Sequence, residues 1–394
     1  MMTSDAGRLS CALLVAALAA CDRPEPVPPT ALGEPLPGLA APELGRFHAG
    51  LALFNKVFTP DEGLGPLFNE NQCSACHTVP AAGGTGEQLV TRASRFSPPN
   101  RCDPLTAAGG ENVRVQATPA LRAQGIERQP FPERATEQAR FNVPFLFGLG
   151  LVEAIPEEQI LARADPEDRD GDGISGRPGR DANGRFARFG RKADHASLRD
   201  FVESAAHLEM GLTTPRRPHE AMFAGAPLPP GVDPAPDPEL DETTVALLTD
   251  FIRFLSPPAR RRADSPAERR MIERGEALFR TIGCADCHVP SMTTGRNPVR
   301  ALDRKRIDLY SDLLLHDMGP ELATVCAPGA TPTELRTEPL MGLGQRNVYL
   351  HDKRTNDLSE AIGAHGGEAA PARDRFRALD ELERHALIRF LQSL

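Results

Sequence analysis

Apolar residues recur at three- and four-residue steps through Leu44, Phe47, Leu51, Phe54 and Val57. That spacing lays one face of a helix on a core, so it predicts a helix over 43–58, ended by Thr59-Pro60. A second helix is predicted over 266–282, with Met271, Leu278 and Phe279 on one face. The two carry near copies, Gly50-Leu51-Ala52-Leu53-Phe54 and Gly275-Glu276-Ala277-Leu278-Phe279. Another pair of copies closes two helices: Ile252-Arg253-Phe254-Leu255-Ser256 before Pro257-Pro258, and Ile388-Arg389-Phe390-Leu391 with Ser393. Each half thus begins and ends alike, which sets domains at 44–257 and 264–394.

Behind each opening helix stands the same five-residue pattern, Cys73-Ser74-Ala75-Cys76-His77 and Cys284-Ala285-Asp286-Cys287-His288. Cys-x-x-Cys-His is the attachment sequence for c-type haem: the two thiols reach the vinyl groups and the next imidazole reaches the iron. A zinc module would bring its second Cys pair some 15 to 20 residues later, and a redox Cys-x-x-Cys needs no following His. The expected cofactors are two covalently bound haems c, with His77 and His288 as iron ligands. The fold class that follows is mainly α, two c-type cytochrome domains in tandem. The first is enlarged by a long loop-rich insertion between Pro80 and Pro238.

Within the insertion, Phe145 to Ile155 is apolar and contains Gly148-x-Gly150, which lacks the third glycine of a dinucleotide loop and reads as packing. Asp168-Arg169-Asp170-Gly171-Asp172-Gly173-Ile174 sets carboxylates at positions 1, 3 and 5 of a calcium loop, with Gly at 6. Gly179 stands where an EF-hand has its bidentate Glu, so a looser calcium shell is expected, completed by Asp165 or Asp181.

The N-terminus has Arg8, then an apolar run from Ala12 to Ala20 too short to span a bilayer, the form of a secretory signal over 1–21. Leu18-Ala19-Ala20-Cys21 resembles a bacterial lipoprotein cleavage box, which makes Cys21 the expected site of lipidation. Residues 22–43 are rich in Pro and read as a semi-extended tether. The expected location is therefore periplasmic, on a lipid anchor. In that compartment Cys102 and Cys326 either pair or stay free. A formal charge of −9, with Arg260 to Arg262 in a Pro-rich connector, excludes nucleic acid as the main partner.

Several separated stretches occur in the order found in one family: Gly65 to Asn69, Gly148 to Pro156, Asp170 to Arg177, Glu209-Met210-Gly211, Ser311 to Gly319, Leu350-His351-Asp352, His365 to Ala369 and Ala372-Arg373. On them the chain resembles the bacterial di-haem cytochrome c peroxidase superfamily, and within it the di-haem oxidoreductases labelled thiol oxidoreductases or peroxidases. The resemblance implies an electron-conducting haem in the second half, held by His288 and by His365, fourteen residues beyond His351. It implies a catalytic haem at His77, with Glu209 as acid/base for peroxide cleavage and His207 and Met210 as rival iron ligands. It also implies a propionate-facing His316, a small cytochrome or cupredoxin as electron donor, and a homodimer. The expected function is a peroxidase-like oxidoreductase passing electrons from the C-terminal to the N-terminal haem. Two alternatives are a di-haem electron carrier without catalysis and the oxidation of a sulfur compound. The sequence departs from peroxidase relatives in two places: Arg199 stands where they have Gln, and no Trp exists to relay electrons, with Phe186 or Phe189 in the matching region.

Overall fold

The computed structural model describes residues 24–221 and 223–394; the signal segment and Cys21 lie outside the described residues. Its longer helices are α1 (Ala41–Phe54), α2 (Leu198–Met210), α3 (Glu242–Phe254), α4 (Pro266–Thr281), α5 (Leu358–Gly363), α6 (Ala370–Ala378) and α7 (Glu381–Leu391). Side chains close the orphaned N–H groups where these helices start: Asp241 accepts from Thr244, Ser265 from Glu268, and Asp380 forms a capping box with Glu383. Helix α1 stops at Phe54, short of the predicted 58, and Val57 is exposed there.

The repeated glycines are where helices touch. A Cβ on Gly50 would lie 2.1 Å from the carbonyl oxygen of Leu247 in α3, and one on Gly275 would lie 2.1 Å from that of Ala386 in α7. With only hydrogen at these positions α1 closes on α3 and α4 on α7, and Phe54 meets Phe251 at 4.7 Å as Phe279 meets Phe390 at 5.3 Å. Gly150 has the same use: its Cβ would meet the oxygen of Arg253 at 1.8 Å, so the Gly148-x-Gly150 stretch packs against α3.

The expectation of a mainly α protein needs correction. Helices, short 3-10 turns included, cover 32% of the described residues and strands and bridges 15%. The labelled strands are β1 (Glu25–Pro26), β2 (Leu89–Ser97), β3 (Arg101–Asp103), β4 (Glu137–Asn142), β5 (Met292–Thr293), β6 (Lys305–Ile307), β7 (Leu315–Asp317) and β8 (Glu334–Arg336). In the insertion β2 lies between β3 and β4, antiparallel to both, with Leu89 opposite Asn142 and Phe96 opposite Cys102. Among the described residues no helix is long and apolar enough to cross a membrane.

Two further expectations differ. The Pro-rich residues 24–40 are not a free tether: β1 pairs in parallel with β6, Glu25 meets Lys305 at 2.8 Å, and Leu36 is buried with its N–H on the carbonyl of Phe254. Nor does the boundary at 257/264 separate two cores. Met292, Leu302, Ile307, Leu309, Leu313, Leu314 and Met341 join the large core of the first half. The smaller core of Phe279, Leu358, Phe376, Leu387 and Phe390 is left to α4, α5, α6 and α7, with Tyr310 added from the loop between β6 and β7. Cys102 and Cys326 form a disulfide, with a Cα–Cα distance of 5.8 Å across 224 residues of sequence, which ties β3 to the second half.

Candidate functional site

Each Cys-x-x-Cys-His motif folds as a single 3-10 turn, Cys73–Ala75 and Cys284–Asp286. The turn carries the two thiols and the following His onto the wall of one cavity: ≈ 260 Å³ for the first motif and ≈ 470 Å³ for the second. The ring Nδ1 of His77 donates to the carbonyl of Gly84 at 2.9 Å and that of His288 to the carbonyl of Tyr310 at 3.0 Å, which leaves Nε2 of each as the lone-pair nitrogen. Burial pushes both rings down to about 4, so they stay neutral, as iron ligands must be. As free thiols Cys73, Cys76 and Cys284 are pushed up by burial to about 12 and Cys287 also upward, opposite to the low-pKa thiol of a thioredoxin-like pair.

The larger cavity brings together the predicted residues of the second half. His365, half-buried just after α5, lines the same space as His288, and its Nδ1 donates to the carbonyl of Ala361 at 2.9 Å, so its Nε2 also keeps a lone pair. Burial lowers its pKa. His316, on β7, has both nitrogens engaged: Nε2 with Asp312 at 2.9 Å and Nδ1 with Glu368 at 2.8 Å. Burial works against its charge, yet the two carboxylates and Cys287 hold its pKa up at about 12. Neither nitrogen is left for a propionate, so the propionate-facing role expected of His316 gives way to a buried ion triad. Glu368 also accepts from the hydroxyl of Ser175 at 2.5 Å, which fastens the acidic loop of the insertion to this cavity.

In the smaller cavity Glu209, near the end of α2, faces the space that His77 lines. Burial raises its carboxyl pKa, opposed by the side-chain hydrogen bond from Asn69, whose Nδ2 donates to Oε2 at 2.7 Å. Asn69 is itself pinned, its Oδ1 accepting from the N–H of Val115 at 3.0 Å. Met210 lines this cavity, whereas His207, three residues earlier on the helix, does not. His195 does, with Nδ1 on Asp194 at 2.9 Å. No motif had marked it; the only signal was an Asp-His dipeptide. Arg199, at the departure from peroxidases, turns to Glu203 and Glu242.

The carboxylates of Asp168, Asp170 and Asp172 converge, each offering an oxygen within 4.8 Å of the others. Asp165 caps the loop by accepting from the N–H of Arg169 at 2.7 Å. Asp181 does not join them: its carboxylate is taken by Arg185 and by the N–H groups of Asn183 and Arg185.

Six residues line both cavities: Asn142, Arg191, Arg336, Glu338, Pro339 and Arg346. Phe186 and Phe189, expected in the place of a relay, do not bridge them; Phe189 reaches the smaller cavity alone.

Residues 131–394 match the family model described as "Di-haem oxidoreductase, putative peroxidase". The chain belongs to this di-haem oxidoreductase family. No curated protein matches it. Among solved structures, the hydrazine synthase of Kuenenia stuttgartiensis is 12% identical, covering 100% of this chain and 99% of that one, with a TM-score of 0.40. A MauG-like protein associated with microbial copper homeostasis is 14% identical, covering 95% and 93%, with a TM-score of 0.41.

The residues of this di-haem oxidoreductase fit the two haems that its family name implies. Each cavity has the paired thiols, a neutral imidazole with Nε2 free, and mostly apolar walls. The guanidinium Nε of Arg346, in the shared wall, is buried without an acceptor, as it would be if an anionic group completed the site.

Proposed function

We propose that the protein is an exported di-haem c-type cytochrome with peroxidase-like activity. Cys73 and Cys76 would hold one haem with His77 on its iron, and Cys284 and Cys287 the other with His288 and His365. When bound, the two haems supply the electrons and the iron at which a small oxidant such as hydrogen peroxide is reduced. The second site, where His288 and His365 would both hold the iron, suits electron entry from a small cytochrome or cupredoxin. Electrons would run from there toward the His77 side. The disulfide between Cys102 and Cys326 supports export, because such bonds persist in oxidising compartments. Lipid anchoring at Cys21 rests on the cleavage box. A calcium ion at Asp168, Asp170 and Asp172 rests on the convergence of their oxygens.

The observation that carries the enzymatic reading is Glu209 in the His77 cavity, raised by burial and oriented by Asn69. Such a carboxylate can take the proton from the nearer peroxide oxygen and return it to the leaving one. The test is Glu209→Gln in protein with unchanged haem content. Peroxide turnover should fall by about 10²-fold or more, the usual worth of a general acid/base; turnover at the wild-type rate would rule out this role.

Met210 and His195 on the same cavity wall favour a second reading, an electron carrier with both irons six-coordinate. Absorption spectra separate the two. A high-spin iron that takes added ligands supports the enzyme, and two low-spin irons in both redox states support the carrier.

A further inference from the structure

The wall shared by the two cavities is charged in an unbalanced way. Three guanidiniums surround one carboxylate: Arg336 donates to Glu338 at 3.0 Å, and Arg191 and Arg346 stand 3.5 Å from it. Glu338 is held down at about 2, against burial, by the three arginines. Three cations against one anion leave an excess of about two positive charges on this half-buried wall.

Part of this excess has no counterpart in the protein. The Nε of Arg346 is buried without an acceptor, while its guanidinium lies 4.4 Å over the ring of Phe145. The other nearby carboxylates are committed: Asp194 to His195 and Arg92, Asp312 to His316. Three guanidiniums largely withdrawn from water are under-neutralised by one carboxylate, so the wall calls for anions, and both cavities open on it.

Taking the di-haem reading as given, we propose that Arg191, Arg336 and Arg346 bind haem propionates from both cavities. They thereby form a salt bridge between the two redox centres. Guanidinium forks match carboxylates in pairs, and the set has donors to spare for more than Glu338.

The test uses the full haem-loaded protein, reduced stepwise while the absorbance of each haem is followed. In Arg346→Gln both transitions move to lower potential, because a lost positive charge disfavours the added electron. The reduction equilibrium of each haem falls about tenfold, or about 59 mV for one electron. Arg346→Lys keeps the charge and recovers most of that shift, and Glu338→Gln moves both transitions upward. Propionate bending bands of both haems in resonance Raman spectra move in Arg346→Gln, which a distant charge would not cause. A shift confined to one haem, or unmoved bands, overturns the bridge. If Arg346→Gln loads poorly, the upward shift in Glu338→Gln decides, and its absence at either haem overturns the bridge as well. Finding fewer than two covalent haems would instead overturn the di-haem reading itself.

Discussion

Glu368 accepts a hydrogen bond from Nδ1 of His316 at 2.8 Å in the wall of the larger cavity, where His316 is buried and Glu368 half-buried. The two groups titrate in opposite directions from their ordinary values of 6.5 and 4.5: His316 is raised to about 12 and Glu368 lowered to about 2. The histidine's contribution to stability is complete below pH 6.5 and is lost as pH rises toward 12; the carboxylate's is complete above pH 4.5 and is lost as pH falls toward 2. The difference in unfolding free energy between wild type and His316→Gln should therefore peak between pH 4.5 and 6.5, at about 3 kcal/mol. Denaturant titrations from pH 3 to 9 measure it, and a flat difference would contradict the assignment.

Asn69 is a positioning residue for Glu209, and its hydrogen bond favours the ionised carboxylate. Asn69→Leu should push the pKa of Glu209 further up. If the ionised form takes the first proton, the acid limb of peroxide turnover moves to higher pH, and kcat falls by about tenfold or more, the worth of a hydrogen bond to a charged group. A profile with an unmoved acid limb would show that Asn69 has only a structural part.

Exposed glycines in helices usually cost stability relative to alanine, and α1 holds both kinds. Gly45 is exposed with nothing near its Cβ position, so Gly45→Ala should stabilise by about 0.5–1 kcal/mol. Gly50→Ala and Gly275→Ala should have the opposite sign, destabilising by about 1–3 kcal/mol, because backbone oxygens occupy the space at 2.1 Å. Thermal unfolding of the three variants compares the signs directly.

The disulfide closes a loop of more than 200 residues. Cys102→Ser should lower unfolding free energy by about 2–4 kcal/mol. Under reducing conditions the wild type should approach the variant's urea midpoint, and a midpoint indifferent to reductant would show that the bond adds nothing.

The helix pairs and haem motifs were legible because each rests on local spacing: a thiol pair within one turn, an apolar face, a glycine at a crossing. His365 and Glu209 were reached through the family resemblance, which supplied the step from His351 and the Glu-Met-Gly segment. The wall of Arg191, Arg336, Glu338 and Arg346 could not be reached, since it joins charged residues up to 155 positions apart by the numbering and none lies in a recognisable pattern. The same holds for the segment around Met292 to Met341, whose apolar residues say that they are buried but not in which half. The strands of the insertion escaped for a different reason. Along β2 Leu89 and Val90 stand together and Thr91 and Arg92 follow together, so apolar and polar residues do not alternate and the period-two signal is faint.

The docking of β1 changes what an acyl chain on Cys21 would do. Only three residues separate Cys21 from Glu25, where the chain is already paired with β6. Even fully stretched, the four residue steps from one to the other reach about 14 Å. A protein held that way would sit against the bilayer instead of swinging above it on a leash, with one flank shielded by lipid and the opposite flank left for soluble electron donors.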